Sequence, residues 1–568
     1  MKNVLNNKLL IVIVFFAFIL RVVSLSSFPI GFTQDEAALG YDAYSLLETG
    51  KDQWGEAFPL SFRSFGDFKM PLYTYLAAPS VHIFGLNVFA VRLPNAIFGT
   101  LAVLATYLMV LELTKRKNFA LISSLFMALS PWGISLSRGA FEANLTAFFI
   151  PIGVWAFYKA LKDPRWAWVA ACSFGINIFS YHSARLFTPF LILIMVLLNR
   201  KVIRKNLLSK AKNKNFLRNY LIGFFLLVFF FLVSVYTLRS GSQMRAFDVV
   251  IFNPTDKWAA VADRRYEAVL QGVPDYIART FSNKVTYVSR LFASNYISYL
   301  SPVFFFTQGA GEWGYGMIPG RGVLYMFEAI LLLVSMISFI KGKGFKNMNL
   351  ILLWVIISPM AAALAKGPGY AANRAAVMMP AIQVLSVYGL VVLYKYVKSM
   401  KKVIWKNIFV VSTILIMLVS FISFLEDYIY HAPINGARSM QWGTKEAIDY
   451  VSNVESNYDE VLVSRSLSVP QIWVAFYQKY DPTEIQKASK GWLDYEKEGW
   501  VAIDQLGEYR LGKYVFGAID LSVLRESTQK ILIVGKPEEF KWETNTLKTI
   551  VYPNGKPAYS IMDNSMLK

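Results

Sequence analysis

Two acidic residues, Asp35 and Glu36, follow directly after the first long apolar run of the sequence. A carboxylate at a membrane surface can serve as a general base or help to hold a divalent cation. Both residues are therefore candidate catalytic groups, and together they are a candidate metal site. The segment Thr33-Gln-Asp-Glu36 also fits a capping box, in which Thr33 caps a helix and Glu36 bonds back to it. Asp35 would then only favour the positive end of that helix, and both interpretations stay open from the residues alone.

A lysine and a proline-led aromatic segment form the second candidate group, Lys69-Met-Pro71-Leu-Tyr73. Pro71 is predicted to begin a helix, which would place Lys69 close to helix N-terminal amides that bind anions. We therefore predict that Lys69 contacts a lipid phosphate, with Tyr73 as a further candidate on the aromatic face of the same helix. The alternative is a lysine that extends into the head-group layer without a specific ligand.

Further charged residues stand at the ends of other apolar runs: Arg138, Glu142, Arg185 and Arg374. Several cations on one face would suit a donor that carries phosphate, so the three arginines are candidate phosphate ligands. Glu142 lies close to Arg138 in the sequence, at the outer end of two predicted spans. Arg138 and Glu142 could instead form a structural ion pair that joins two helices.

The elements that must position these residues are membrane spans. The chain has 568 residues, of which 55% are hydrophobic and only 17% are charged, whereas soluble domains carry about 25% charged residues. The apolar residues fall in runs of the length that crosses a bilayer, roughly 17–25 residues. These runs predict an α-helical polytopic membrane protein with about eleven spans, near 8–25, 93–113, 119–136, 143–161, 166–182, 186–199, 219–237, 322–340, 349–365, 376–394 and 406–424.

The net charge of +21 is concentrated in short loops between the apolar runs. This pattern indicates topology and not a nucleic-acid partner, because cytoplasmic loops collect Lys and Arg. With a cytoplasmic N-terminus, the basic loops near 115–117, 162–165, 200–218, 341–346 and 395–406 all fall on the cytoplasmic side. The opposite side then receives large loops at 26–92 and 238–321. The first apolar run could alternatively be a cleaved signal peptide.

A transmembrane domain is predicted at 1–425, and the chain after it is predicted to fold differently. Residues 426–568 are predicted to form a small extracytoplasmic α/β domain, with an amphipathic helix at 445–454, strands at 460–464 and 530–535, and a hairpin turn at Asn554-Gly555. It contains no dinucleotide fingerprint and no P-loop, so no nucleotide cofactor is expected, and we predict a binding or scaffolding role. One cysteine and three histidines in the whole chain argue against a zinc site.

The sequence resembles the membrane-embedded glycosyltransferases of the C-type (GT-C) fold, in particular the protein O-mannosyltransferases and the lipid A aminoarabinose transferases. The resemblance covers about residues 8–425. It depends on Asp35-Glu36, Lys69-Met-Pro71-Leu-Tyr73, Arg92-Leu-Pro94, Ser137-Arg138-Gly-Ala-Phe-Glu142-Ala-Asn144, Tyr181-His-Ser-Ala-Arg185-Leu-Phe and Asn295-Tyr-Ile-Ser-Tyr-Leu-Ser-Pro302. It implies that Asp35 is the catalytic base, that Lys69 contacts the donor phosphate and that Glu142 is a second functional acid. Phe68 stands where the aminoarabinose enzymes carry an acid, which leaves the sugar open.

The resemblance implies an inverting transfer of a sugar from a polyprenyl-phosphate donor to an acceptor at the outer face of the membrane. The acceptor would be a protein, a glycan or a lipid, and a divalent cation would be a candidate cofactor. Two other classes of function remain as alternatives. A transporter or flippase of lipid-linked or small solutes would need inverted repeats or charges at the centres of spans, and the sequence shows neither. A non-catalytic envelope assembly protein would have a similar sequence.

Overall fold

The computed structural model of the protein describes residues 7–210, 214–239, 250–252, 254–342, 344, 347–366, 370–400, 403–500, 503–540 and 545–567. Parts of the predicted second loop (240–249 and 253) lie outside the described residues. So do residues 1–6 and parts of the predicted basic loops (211–213, 343, 345–346 and 401–402).

Helices make up most of the chain before residue 437. The first eleven are α1 Lys8–Val22, α2 Gln34–Thr49, α3 Pro71–Phe84, α4 Val88–Thr114, α5 Lys117–Leu129, α6 Pro131–Ser137, α7 Thr146–Ala160, α8 Ala167–Asn177, α9 His182–Leu198, α10 Arg200–Lys210 and α11 Lys214–Arg239. The next nine are α12 Pro254–Leu270, α13 Asp275–Phe281, α14 Lys284–Tyr299, α15 Glu328–Ile340, α16 Met348–Ile357, α17 Pro359–Ala363, α18 Ala381–Lys398, α19 Val403–Glu426 and α20 Ala432–Gly436.

A helix occupies each segment that the sequence predicts as a span. Within the described residues, four helices are long and apolar enough to cross a membrane, or up to six if each of two bent pairs counts as one span. The protein is therefore a multi-pass membrane protein, while the number of eleven spans stays a prediction. Helices α11 and α19 leave most of their apolar side chains exposed, as helices that face lipid do.

One of the bent pairs shows how the bundle tolerates a broken helix. Helices α5 and α6 meet at 55°, because Pro131 cannot continue the helical hydrogen bonds of α5. The buried guanidinium of Arg21 on α1 donates to the freed carbonyls of Ala128 at 3.2 Å and Met127 at 3.4 Å. Ser130 accepts a hydrogen bond from the amide of Gly133 and so caps α6. The break is therefore stabilised by neighbouring side chains within the apolar core.

The C-terminal region contains a six-stranded mixed sheet. Its strands are β3 Glu460–Ser464, β4 Glu508–Leu511, β5 Tyr514–Gly517, β6 Ile531–Gly535, β7 Lys548–Val551 and β8 Pro557–Asp563, in the spatial order β4-β5-β3-β6-β8-β7. Strand β3 pairs in parallel with β5 and β6, and the other pairs are antiparallel. Its helices are α21 Thr444–Val454, α22 Pro470–Tyr477, α23 Pro482–Trp492, α24 Asp494–Lys497 and α25 Leu521–Glu526. The predicted helix, the two strands and the hairpin turn are confirmed.

The C-terminal region packs directly on helix α2 of the first large loop. The rings of Phe32 and Phe476 lie 4.8 Å apart, and the Tyr41 hydroxyl donates to the carbonyl of Tyr480 at 2.8 Å. The side-chain amide of Gln486 donates to the hydroxyl of Ser45 at 3.1 Å. One apolar core includes residues of α2, α22 and the sheet. The predicted domain boundary at 425/426 stays a prediction, but the two sides of it share this core.

Candidate active site

Helix α2 begins with a capping box, as the sequence predicts. The Thr33 hydroxyl accepts from the Glu36 amide at 3.3 Å, and the Glu36 carboxylate accepts from the Thr33 amide at 3.1 Å. Such caps fix where a helix begins and therefore which way its first side chains point. The start of α2 places Asp35 and Glu36 about 100° apart around the helix axis.

Glu36 points into the protein and pairs with Arg92 of α4. The two side chains are fully buried, and Arg92 donates to both carboxylate oxygens, at 2.8 and 3.0 Å. The amide of Ala140 adds a third hydrogen bond at 2.9 Å. Both oxygens of Glu36 are thus already engaged. The structure gives Glu36 a structural position in place of the predicted catalytic one, and it does not pair Glu36 with Asp35 as metal ligands.

Asp35 points the other way and contacts Lys69. Its carboxylate oxygen Oδ1 lies 3.1 Å from Lys69 Nζ, and Asp67 Oδ2 lies at the same distance from that nitrogen. The Asp35 side chain is 34% exposed and that of Lys69 is 14% exposed. The fold therefore brings these two predicted site residues into direct contact.

A short hairpin delivers Lys69. Strands β1 Phe62–Arg63 and β2 Phe68–Lys69 pair antiparallel, and the amide of Ser64 donates to the carbonyl of Asp67 across the turn at 2.7 Å. Helix α3 then begins at Pro71, as predicted. The ring nitrogen Nε2 of His182 lies 3.0 Å from the carbonyl oxygen of Phe68 and ties the hairpin to α9.

Three carboxyl groups surround the Lys69 ammonium. Burial by itself would lower the pKa of Lys69, but Asp35, Asp67 and Glu142 more than offset this and raise that pKa well above its ordinary value. Lys69 is therefore positively charged at neutral pH, as a phosphate ligand must be.

Glu142 approaches from the turn between α6 and α7, at the start of a short 3₁₀ helix, Glu142–Leu145. Asn95 of α4 holds this turn by donating to the carbonyls of Leu136, Gly139 and Phe141 at 2.6–3.0 Å. Burial raises the pKa of Glu142 to about 7; Lys69 opposes this rise and Asp35 adds to it. Glu142 is thus close to half-protonated at neutral pH, and it can donate or accept a proton.

These side chains line a cavity of about 420 Å³. Four of the predicted site residues meet there: Asp35, Lys69, Glu142 and Arg374. The polar lining is completed by Asp67, Tyr181, His182, Ser183, Glu312, Tyr315 and Asn373. Arg374 is oriented by a hydrogen bond to the carbonyl of Lys366 at 2.8 Å. The cavity therefore combines carboxyl groups, two cations and aromatic hydroxyls at one end of an apolar bundle.

The other three predicted phosphate ligands do not line this cavity. Arg138 donates to the carbonyls of Leu20 at 2.6 Å and Val23 at 2.8 Å, because the last carbonyls of α1 lack helical partners. Tyr73 is fully buried, with its hydroxyl on the carbonyl of Val91 at 2.8 Å. Arg185 donates to the Thr237 hydroxyl at 2.8 Å. Arg138 is thus neither a phosphate ligand of this cavity nor the partner of Glu142, but a cap for α1.

Sequence reasoning did not select three of the lining residues, Asp67, Glu312 and Tyr315. Asp67 lies only two positions before Lys69, so the hairpin itself could have indicated it. Glu312 and Tyr315 belong to the segment Gly309-Ala-Gly-Glu-Trp-Gly-Tyr-Gly316. Glycines that alternate with an acid and aromatic residues are typical of a loop that approaches a ligand closely. This pattern could have indicated Glu312 and Tyr315 as site residues.

The chain has the fold of solved membrane proteins of the C-type (GT-C) glycosyltransferase superfamily, and part of it matches a mannosyltransferase family model, which confirms the resemblance drawn from the sequence. Residues 69–235 match a family model described as dolichyl-phosphate-mannose-protein mannosyltransferase. Two solved structures of ArnT from Cupriavidus metallidurans superpose on the chain. The one bound to undecaprenyl phosphate has a TM-score of 0.52 at 12% identity and covers 98% of this chain and 97% of its own.

The apo form of the same protein has a TM-score of 0.51 at 11% identity, with 98% of each chain covered. At such low identity these structures establish the fold alone. A curated relative in Bacillus subtilis (strain 168), "Putative mannosyltransferase YkcB", is 28% identical over 141 residues, or 24% of this chain. That match spans only about a fifth of the relative's length (20%).

Proposed function

We propose that the protein transfers a sugar from a polyprenyl-phosphate donor to a hydroxyl group of an acceptor, with inversion at the anomeric carbon. One observation carries the proposal. The carboxylate of Asp35 and the ammonium of Lys69 lie 3.1 Å apart on the wall of a polar cavity. A base and a phosphate ligand are the two groups that this reaction requires.

In the proposed reaction, Asp35 removes the proton of the acceptor hydroxyl while the acceptor oxygen forms a bond to the anomeric carbon. The bond between that carbon and the phosphate oxygen breaks, and the lipid phosphate leaves with the electron pair. Phosphate is a good leaving group, so no dedicated general acid is required. Lys69 and Arg374 stabilise the departing phosphate, and one such contact at 4 Å is worth about 4 kcal/mol at an effective dielectric constant near 20.

The contact between Asp35 and Lys69 also couples donor binding to base activation. In the absence of donor, the ammonium of Lys69 occupies one carboxylate oxygen of Asp35. A donor phosphate competes with Asp35 for Lys69, and the carboxylate becomes free for the acceptor hydroxyl. Binding of the donor would in this way prepare the base only when the leaving group is in place.

The composition of the cavity also fits a divalent cation. Among its described lining residues, four carboxyl groups (Asp35, Asp67, Glu142 and Glu312) face two fixed cations, Lys69 and Arg374. Carboxylate oxygens are the ligands that Mg²⁺ and Ca²⁺ prefer, so Asp35, with Asp67 or Glu142, would offer ligands to such an ion. Its contribution would be positive charge opposite the donor phosphate. Glu36 would not take part, since its oxygens are bonded elsewhere.

We further propose that the cavity opens at the outer face of the membrane, with a cytoplasmic N-terminus and an extracytoplasmic C-terminal region. The distribution of basic loops supports this orientation. A lipid-linked donor would reach the cavity from the bilayer. The acceptor, whether protein, glycan or lipid, would reach it from the aqueous side.

The test is transfer from defined donors. Membranes that contain the protein are incubated with a set of radiolabelled polyprenyl-phosphate sugars, and the labelled product is identified by mass spectrometry. Membranes of the same strain without the protein are the control. The proposal predicts a covalent product for at least one sugar, with inverted anomeric configuration. Counterflow of the labelled lipid without any covalent product would contradict the proposal and indicate that the protein is a flippase.

A further inference from the structure

A second polar cleft lies between the end of the last apolar helix and the C-terminal sheet, away from the residues of the catalytic cavity. It has a volume of about 330 Å³. Its charged lining consists of Arg438, Lys536, Lys556 and Glu538. These residues come from three separate segments: the chain leaving the bundle, the turn after β6, and the turn between β7 and β8. We refer to it as the cationic cleft.

Within the described residues, no ion pair involves Arg438, Lys536 or Lys556, although Glu538 lies in the same cleft. Two other lysines of the C-terminal region behave differently. Lys445 pairs with Asp449 at 2.5 Å, and Lys548 pairs with Glu446 at 3.1 Å. Among the described residues, the charged lining of the cleft therefore consists of three cations and one acid, an excess of positive charge.

The turns that carry the lysines are fixed by backbone hydrogen bonds. The amide of Lys536 donates to the Glu539 carboxylate at 2.8 Å, and the amide of Lys556 donates to the side chain of Asn554 at 3.0 Å. The Tyr552 amide donates to the carbonyl of Lys556 at 2.8 Å and closes the hairpin. The two ammonium groups are thus attached to ordered turns and not to a loose tail, which reduces the entropy lost on binding an anion.

The position of the cleft relates it to the membrane surface. The apolar helical segment Val403–Gly436 has 34 residues, about 50 Å at the helical rise. A bilayer measures about 30 Å across its hydrocarbon core and 40–45 Å with its head groups. If the segment begins at the cytoplasmic edge of the bilayer and runs upright, its end projects through the head-group layer. The cleft begins at Ile434, so it lies at that level or just above it.

We propose that the cationic cleft binds a phosphate group, supplied either by the head group of an anionic lipid or by a soluble phosphate ester. Arginine and lysine together suit phosphate, since the guanidinium offers paired donors and the ammonium a point charge. The cleft is also of a size that holds a small polar ligand. This site is separate from the proposed transferase chemistry and does not depend on it.

The cleft and the catalytic cavity have no lining residue in common, but chain segments that line them touch at Gly436, between the cleft residues Asn435 and Ala437. Gly436 packs so closely against Trp313 that a Cβ at this position would lie 3.1 Å from the indole. Glu312 and Tyr315, on either side of Trp313, line the catalytic cavity. An anion bound in the cleft would therefore steady the segment that carries these two residues.

Binding is tested on the full-length protein in nanodiscs. Native mass spectrometry counts the phosphatidylglycerol molecules that stay bound, with phosphatidylcholine discs as reference, and calorimetry measures sn-glycerol 3-phosphate. The variants are Arg438→Gln, Lys536→Gln, Lys556→Gln and their combination. The matched controls are Lys445→Gln and Lys548→Gln, which remove solvent-accessible, already paired lysines of the same region. Melting temperatures verify that each variant is folded.

Each substitution in the cleft should weaken binding roughly fivefold, and the combination on the order of a hundredfold, while the controls change it less than twofold. Loss of phosphatidylglycerol alone would identify a lipid head group as the ligand. Loss of glycerol phosphate as well would identify the phosphate group in either form. Equal binding of both probes by the wild type and the folded triple variant would overturn the proposal.

Discussion

Asp35 and Glu36 are adjacent in the chain, yet they face different surroundings and bond to different cations. Asp35 contacts Lys69 at the cavity, whereas Glu36 is buried against Arg92. The capping box at Thr33 fixes the start of α2 and thereby this division. One acid is left available for chemistry, and its neighbour holds α2 against α4. The two residues should therefore respond differently to the same kind of substitution.

Asp35→Asn should lower the turnover of sugar transfer by roughly 10²–10⁴, because it removes a general base. The side chain keeps its volume, so the melting temperature in detergent should stay within a few degrees of the wild type. Asp494→Asn is the matched control, since Asp494 is exposed and its ion pair within the described residues is with Lys497 alone. Turnover of folded Asp35→Asn at the wild-type rate would remove Asp35 from the mechanism.

Glu36→Gln should instead destabilise the fold. It leaves the buried guanidinium of Arg92 without its countercharge, and breaking a buried ion pair costs about 3–5 kcal/mol. Chemical denaturation or a melting curve measures this loss, and any loss of activity should follow the folded fraction. A fully stable but inactive Glu36→Gln protein would contradict a purely structural role of Glu36 and would support a catalytic one.

Lys69→Met should raise the KM for the lipid-phosphate donor by one to two orders of magnitude, since a contact worth about 4 kcal/mol is the upper bound of what is removed. The KM for the acceptor should change little. Lys51→Met, on an exposed residue of the same loop, serves as the control. If Lys69→Met left the kinetics with a purified donor unchanged, Lys69 would have no role in donor binding and would only extend into the head-group layer.

Glu142 should make the stability of the protein depend on pH. Its pKa is raised by burial from 4.5 to about 7 in the folded protein, so the folded state binds the proton more tightly than the unfolded state does. Its contribution to stability is complete below pH 4.5 and is lost as the pH rises towards 7. As the pH rises from 4.5 to 7, the melting temperature of the wild type should fall relative to that of Glu142→Gln, whose side chain stays neutral. Parallel curves for the two proteins would contradict the raised pKa.

Gly40→Ala should weaken the packing of α2. A Cβ at Gly40 would lie 2.4 Å from Val91 and 2.9 Å from Phe476, and such overpacking costs about 1–3 kcal/mol. Both stability and transfer should fall, since α2 carries Asp35. The control is Gly491→Ala in α23, where the new methyl group meets nothing within 4 Å. It should be neutral or stabilising by up to about 1 kcal/mol.

Local features of the fold could be predicted from the sequence, and long-range contacts could not. The capping box at Thr33 and the start of α3 at Pro71 depend only on a few neighbouring residues, and both were correct. The partner of Glu36 lies 56 positions away, and spacing alone does not indicate it. Arg138 was assigned to phosphate because it is a cation at a helix end. In the structure Arg138 instead donates hydrogen bonds to free carbonyls at the end of α1.

The contacts between α2 and the C-terminal region have a consequence for biogenesis. Gln486 donates to Ser45 across 441 positions of the chain. At roughly 5–20 residues per second, a ribosome reaches Gln486 some tens of seconds after α2 has been made. The nascent protein therefore holds α2 without its C-terminal contacts for most of its synthesis. The described lining of the cavity is made earlier, since it ends at Arg374, so the wall that carries Asp35 gains its last support only when translation is almost finished.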